Sequence, residues 1–313
     1  MRLGCWHSFH LPRPSSRMSS AFSAPLSSFS SRSPLWLRHA GIAMLAIGSV
    51  ACSARMPAPS AAVSPASLIQ VSNPTRSTQG FEQCPQFFAN GKAPVLSDQP
   101  KLRALCYDAF AVLHSGQSKT PVFVAQRLNK ALVADADEKR TNKFYSDARL
   151  PRDERAELDD YKRSGYSRGH MAPAGDMPTA QAMAQSFSLA NMVPQSIKQN
   201  GGPWARIEKD TRSYAQRAQG DVYIITGPVF DTNAASVGHN QVRVPSFLYK
   251  LVYDAQSQRA WAHWQANDDA ARVTEPISYT ELVRRTGIEF LPGAALQASG
   301  KLQQTSMLPA QRH

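Results

Sequence analysis

Residues 164–177 read SGYSRGHMAPAGDM, and residues 187–208 read FSLANMVPQSIKQNGGPWARIE. In the first stretch Gly169, Pro173 and Gly175 crowd together at a density that neither a helix nor a strand interior tolerates. It therefore reads as a strand end or a shaped loop. There His170 follows directly on Arg168 and Gly169. Neutral imidazole takes a proton from water near neutral pH, and guanidinium complements phosphate oxygens, so this pair suits acid–base work on phosphates. In the second stretch Gly201 and Gly202 precede a helix that opens near Pro203, with Asn200 just before it and Glu208 about two turns in. An asparagine carbonyl is a hard oxygen donor suited to Mg²⁺, which keeps most of its waters and needs few protein ligands. The Glu208 carboxylate is placed to hold a metal-bound water or an arginine. Each residue also has a plainer reading: His170 bonded in a turn, Asn200 near a helix cap, Glu208 as a solvated charge.

Outward from these stretches, residues 107–114 and 120–127 are apolar or alternating runs flanking Ser115-Gly116-Gln117-Ser118-Lys119, and they read as a hairpin. Residues 221–226, 246–253 and 259–265 are further strands bounded by turn residues. The helix from Pro203 to Gly220 carries Trp204, Ile207, Thr211, Ala215 and Ala218 at three- and four-residue spacing. A second helix starts at Ser278, where Ser278 and Glu281 form a capping-box pattern, and stops at Gly287. The fold class expected is α+β, with a largely antiparallel sheet flanked by helices. His114, His239 and His263 have no partner pattern and read as structural. Trp204, Trp261 and Trp264 read as core residues, any exposed one being able to stack on a base.

Taken together, the two stretches resemble the DNA/RNA non-specific endonucleases of the ββα-metal (His-Me finger) type, a group that includes secreted bacterial nucleases and mitochondrial endonuclease G. The resemblance runs from about Cys106 to Phe290 and includes KRTNKFYSD at 139–147, YIITGPVF at 223–230 and VPSFLYKLV at 244–252. It implies a Mg²⁺-dependent endonuclease, with Mn²⁺ as a substitute, cutting DNA and RNA through the phosphate backbone to 5′-phosphate products. By the same resemblance His170 is the general base and Asn200 the direct metal ligand. Glu208 orients a metal-bound water and pairs with Arg168, Arg140 holds the phosphate, and Asn191 supports the metal loop. Ser167 stands where that family has aspartate, which removes a charge beside Arg168 but keeps a hydrogen-bonding group. Two other readings stay open: a non-catalytic nucleic-acid-binding relative, and a phosphodiesterase for small or lipid substrates.

The ends of the chain bear on location. Residues 1–54 hold five arginines and no acidic residue, and residues 40–51 (AGIAMLAIGSVA) are an apolar run too short to span a bilayer. They read as an export signal, giving a periplasmic or secreted protein, with a mitochondrial transit peptide as the alternative. Cys52 offers a lipoprotein site and hence a membrane anchor. Residues 55–80 read as a Pro/Ser/Ala-rich linker, 81–298 as the folded domain and 299–313 as a tail. A homodimer is compatible with the sequence. Cys84 and Cys106 form an even pair, either disulfide-bonded, closing a loop of about 20 residues, or two buried thiols. The net charge of +12, with 42% hydrophobic and 19% charged residues, describes a basic globular protein suited to a polyanion or an anionic surface.

Overall fold

The computed structural model describes residues 80–297. The expected export signal, Cys52, the linker up to residue 79 and the tail lie outside them. Along the chain come β1 (Leu102–Cys106), β2 (Ala111–Ser115), β3 (Thr120–Leu128), α1 (Lys130–Ala134), β4 (Tyr166–His170), α2 (Ala180–Ser186), β5 (Met192–Ser196) and α3 (Ile197–Gln199). They are followed by α4 (Ala205–Arg217), β6 (Val222–Val229), β7 (Ser236–Val237), β8 (Val242–Arg243), β9 (Phe247–Asp254), β10 (Arg259–Ala266), β11 (Ile277–Ser278) and α5 (Tyr279–Thr286). A seven-stranded sheet runs in the order β1-β2-β3-β6-β9-β10-β11, antiparallel throughout. The α+β class with a largely antiparallel sheet is thus as expected.

The central strands are apolar on both faces because both faces are covered. Leu113, Phe123, Ala125, Ile225, Tyr249 and Leu251 point to one side, under Phe81, Phe87 and Phe88 and under Leu282 of α5 and Phe290. Their neighbours Val112, Val124 and Leu248 point to the other side, against Met171, Met177, Phe187, Trp204 and Ile207. This alternation is the two-residue period of a strand, and each large side chain taken fully out of water contributes about 1.5–3 kcal/mol. The second layer holds the residues singled out from the sequence: β4 and β5 pair antiparallel, and the helix leaving β5 lies over the sheet.

Two expectations are corrected. The first hairpin strand does not begin at residue 107. Tyr107–Phe110 is a turn, closed by the Tyr107 N–H donating to the Phe110 carbonyl at 2.9 Å, with the two rings stacked at 4.4 Å. Apolar Tyr107 and Phe110 look like strand residues because the turn itself is buried. The strand before it, β1, went unread because LRALC carries an arginine at its partly exposed edge. Residues 259–265 fall within β10, and 221–226 and 246–253 fall within β6 and β9 except for their first residues, Asp221 and Ser246, which precede the strands. Helix α5 is capped as expected, with Ser278 Oγ accepting from the Glu281 N–H at 3.1 Å and Gly287 in the left-handed region at φ 69°. The reciprocal half of the capping box is missing, because the Glu281 carboxylate accepts instead from Arg284 and Arg285.

The disulfide reading holds: Cys84 and Cys106 are bonded, with Cα atoms 5.8 Å apart. The bond ties the segment covering one sheet face to the end of β1.

Candidate active site

His170 is the last residue of β4, opposite Met192 of β5. The pairing is close because Gly169 lies against Gln195: a Cβ at position 169 would sit 1.7 Å from Gln195 Oε1, so only glycine fits. Beyond His170 the chain is held by Asn191. Its Oδ1 accepts from the Ala172 N–H, and its Nδ2 donates to the Ala172 and Ser186 carbonyls, each at 2.9 Å. The Asn191 carbonyl also accepts from the Met171 N–H at 3.0 Å. One buried amide therefore fixes the exit of β4, and with it the direction of the imidazole.

The His170 ring is packed edge-on to Phe187 at 5.0 Å and tilted to Phe144 at 5.9 Å. It is 8% exposed, and its Nε2 has no hydrogen-bond partner among the described residues. Burial, with a smaller push from the Arg140 charge, lowers its pKa to about 3. The ring is therefore neutral throughout the physiological range, and its buried Nε2 is unengaged, set behind the residues that line the neighbouring cavity rather than on its wall.

Asn200 is not in a helix cap. It lies within one continuous helical path: α3, then a π-turn over Asn200–Trp204, then α4. Pro203 explains the π-turn, since it has no N–H to give to the turn behind it and the helix widens around it. The helix itself starts at Ser196, whose Oγ accepts from the Gln199 N–H at 3.2 Å. Asn200 Nδ2 donates to Ser167 Oγ at 3.1 Å, and Ser167 Oγ donates to the Gln195 carbonyl at 2.9 Å.

A cavity of about 540 Å³ opens between β4, the start of this helix and the 140–144 loop, and Arg140, Ser167, Arg168 and Asn200 all line it. Both guanidiniums lie over aromatic faces, Arg140 5.0 Å from the Phe187 centroid and Arg168 4.0 Å from that of Phe144. The two rings that confine His170 thus also carry the two cations beside it. Side chains alternate along a strand, so Arg168 and His170 share the Phe144 face while Ser167 turns to Asn200.

Glu208 departs from expectation. It does not line the cavity, and among the described residues it forms no ion pair with Arg168. It lies one turn after Trp204 and one before Arg212, on the α4 stripe facing the sheet. Its carboxyl is half-buried, and burial, reinforced by Asp176 and opposed by Lys250 and Arg212, pushes its pKa up to about 7. Around it Arg212 donates to Asp176 at 2.6 Å, Gln126 donates to Asp176 at 3.0 Å, and Lys250 donates to Thr226 at 2.8 Å.

Sequence reasoning missed this buried layer, and it missed Phe144 and Phe187. Lys250 had a signal, as the one charge inside the apolar run SFLYKLVY; a buried lysine in such a strand needs polar partners. Of the other histidines, His114 is held in the fold as expected, and His263 has a buried Nδ1 that is unpartnered among the described residues. His114 bonds the Glu154 carbonyl at 2.8 Å, and His263 is held near pKa 4, mainly by burial. Trp204 is fully buried; Trp261 and Trp264 are half-buried, against Tyr214 and Phe247.

A paired strand ending in histidine, followed by a helix bearing asparagine and packed on an antiparallel sheet, is the arrangement of the ββα-metal nucleases. The profile of the DNA/RNA non-specific endonuclease family matches residues 91–297, and the chain belongs to that family. Among its relatives is human "Nuclease EXOG, mitochondrial", 36% identical over 166 residues, which are 49% of this chain and 45% of that protein. Another is "Nuclease C1" of Cunninghamella echinulata var. echinulata, 33% identical, the match covering 54% of this chain and 74% of that one. This chain spans about half the length of the first curated relatives it matches. A solved EndoG/EndoGI complex shares the fold at a TM-score of 0.54 and 22% identity, covering 60% of this chain and 84% of that one. Several relatives are named as mitochondrial nucleases, which overturns the expectation of a periplasmic or secreted location. The short apolar run at 40–51 has the form of an export signal, but the Arg- and Ser-rich, acid-free residues around it have the composition of a transit peptide.

Proposed function

We propose that this chain is a metal-dependent endonuclease hydrolysing phosphodiester bonds of DNA and RNA. The observation that carries the reading is the meeting of Arg140, Arg168 and Asn200 at one cavity, two residues along β4 from a buried, neutral His170 whose Nε2 has no partner among the described residues. Two guanidiniums held on aromatic rings would bind the scissile phosphate through its oxygens, giving little base selectivity. His170 would accept a proton from the attacking water as the new P–O bond forms on the face opposite the leaving 3′ oxygen, leaving a 5′-phosphate. Phe144 and Phe187 keep the imidazole oriented and exclude bulk water from one side of it. Asn191 keeps the end of β4 in place.

The donor set fits a hard divalent cation. Asn200 Oδ1 has no hydrogen-bond partner among the described residues, while its Nδ2 is engaged. No group of three or more His, Cys, Asp or Glu side chains able to hold a metal is found among those residues. A single amide oxygen with water completing the shell matches Mg²⁺, with Mn²⁺ as a substitute. Bound there, the ion would supply charge neutralisation at the phosphate and the leaving oxygen. Glu208 would orient a water of the metal shell. We also assign the nuclease domain to residues 81–298.

The test is plasmid cleavage by residues 55–313, wild type and His170→Ala, with Mg²⁺ or with EDTA. Degradation by wild type alone, and only with metal, is expected, the variant losing 10²-fold or more. Binding to plasmid without cutting in either Mg²⁺ or Mn²⁺ would replace the enzyme reading with a binding module. Hydrolysis of a chromogenic diester with plasmid left intact would move the substrate to small diesters.

A further inference from the structure

We infer that Ser167 is a positioning residue, whose hydroxyl sets the Asn200 amide so that its carbonyl oxygen faces the cavity and its amino group does not. The inference rests on the proposed role of Asn200 as the cation ligand. A serine hydroxyl has one proton, and that proton goes to the Gln195 main-chain carbonyl at 2.9 Å, a group that can only accept. What remains on Ser167 Oγ is acceptor capacity. The neighbour at 3.1 Å must therefore be a donor, and Asn200 meets it with Nδ2. The amide is planar, so fixing Nδ2 on Ser167 sends Oδ1 the other way.

The anchor is rigid as well as correctly polarised. Ser167 and Gln195 face each other in the β4–β5 register, so the first bond of the relay lies within a paired ladder. Gln195 Nε2 also donates to Gln199 Oε1 at 2.5 Å, tying β5 to the residue before Asn200. Without an acceptor at position 167 the amide could turn over, which exchanges a carbonyl for an NH₂ at the cavity wall. An NH₂ group cannot ligate a cation. A carboxylate at the same place would accept from Nδ2 with the same polarity, so serine keeps the orientation without the charge.

Titration of the protein with Mn²⁺, followed by the EPR signal of free ion and without nucleic acid, reads the orientation directly. Ser167→Ala is expected to weaken Mn²⁺ binding about ten-fold or more, in the range found when residues orienting a metal ligand are removed. Ser167→Thr, which keeps the hydroxyl, should stay within about threefold of wild type, and Asn200→Ala should lose the site. If Ser167→Ala unfolds, Ser167→Cys keeps the volume with a much weaker acceptor and takes its place. Wild-type affinity in the Ser167 variant with loss in Asn200→Ala would overturn the inference alone. Wild-type affinity in Asn200→Ala would remove Asn200 as ligand, and the inference with it.

Discussion

His170 and Glu208 are both displaced from their ordinary pKa values by burial, and the displacements act on stability with opposite sign. His170 falls from 6.5 to about 3 on folding, so between those values the unfolded chain binds the proton and the folded chain does not. Its contribution is complete above pH 6.5 and is lost as pH falls toward 3. Glu208 rises from 4.5 to about 7, so the folded chain holds the proton longer; its contribution is complete below pH 4.5 and is lost as pH rises through 7. In metal-free protein, denaturant unfolding at a series of pH values should show His170→Ala gaining on wild type as pH drops below 6.5. Glu208→Gln should gain on wild type as pH rises from 4.5 to 7, the gain levelling off above 7. Parallel pH curves for either variant would mean that the group is solvated in the fold.

At the scale of elements, the β4–β5 pair and the helix after it form one unit whose pieces are joined by side-chain bonds to the backbone. Asn191 makes three such bonds from a fully buried position, whereas Ser278 caps α5 on the far side of the sheet. Removing each should separate stability from catalysis. Ser278→Ala is expected to cost about 1 kcal/mol and to leave the cleavage rate unchanged. Asn191→Ala strands two buried carbonyls and an N–H, so its cost should reach about 3 kcal/mol, with a matching loss of cleavage as the imidazole loses its setting. Equal cleavage by both variants, measured where both are folded, would detach Asn191 from the site. The asparagine itself was legible in the sequence through the family pattern. The bonds it makes were not, since Ala172 and Ser186 lie 19 and five residues from it.

For the whole molecule, the disulfide is the covalent tie between the Phe81–Leu96 cover and the sheet. Cys84 is 1% exposed and belongs to the same apolar cluster as Phe88 and Phe123. Replacing Cys84 and Cys106 together by alanine should cost about 3 kcal/mol for a loop of this size. In a thermal melt that appears as a midpoint lower by roughly 6–12 °C. Limited proteolysis should leave residues 81–96 uncut in wild type and should reach into them in the variant. An unchanged melting point would show that apolar contacts alone hold the cover.

The sequence by itself determined the class of fold, because β6, β9 and β10 are apolar runs of strand length between turn residues. It also singled out the candidate chemical groups, because His170, Asn200 and Arg168 lie in two short stretches of unusual composition. It did not determine where the groups face. Whether Glu208 meets Arg168 or sits over Lys250 depends on which side of α4 rests on the sheet, and Lys250 is 42 residues away in the chain. The orientation of Asn200 depends on the β4–β5 register and on the widening of the helix at Pro203. The low pKa of His170 comes from burial and, less, from Arg140, and among the groups packed on the ring are two phenylalanines, 26 residues before it and 17 after it, that only packing brings together. Local pattern specifies the elements and the reactive groups; burial and orientation are properties of contacts between distant segments, and those exist only in the folded chain.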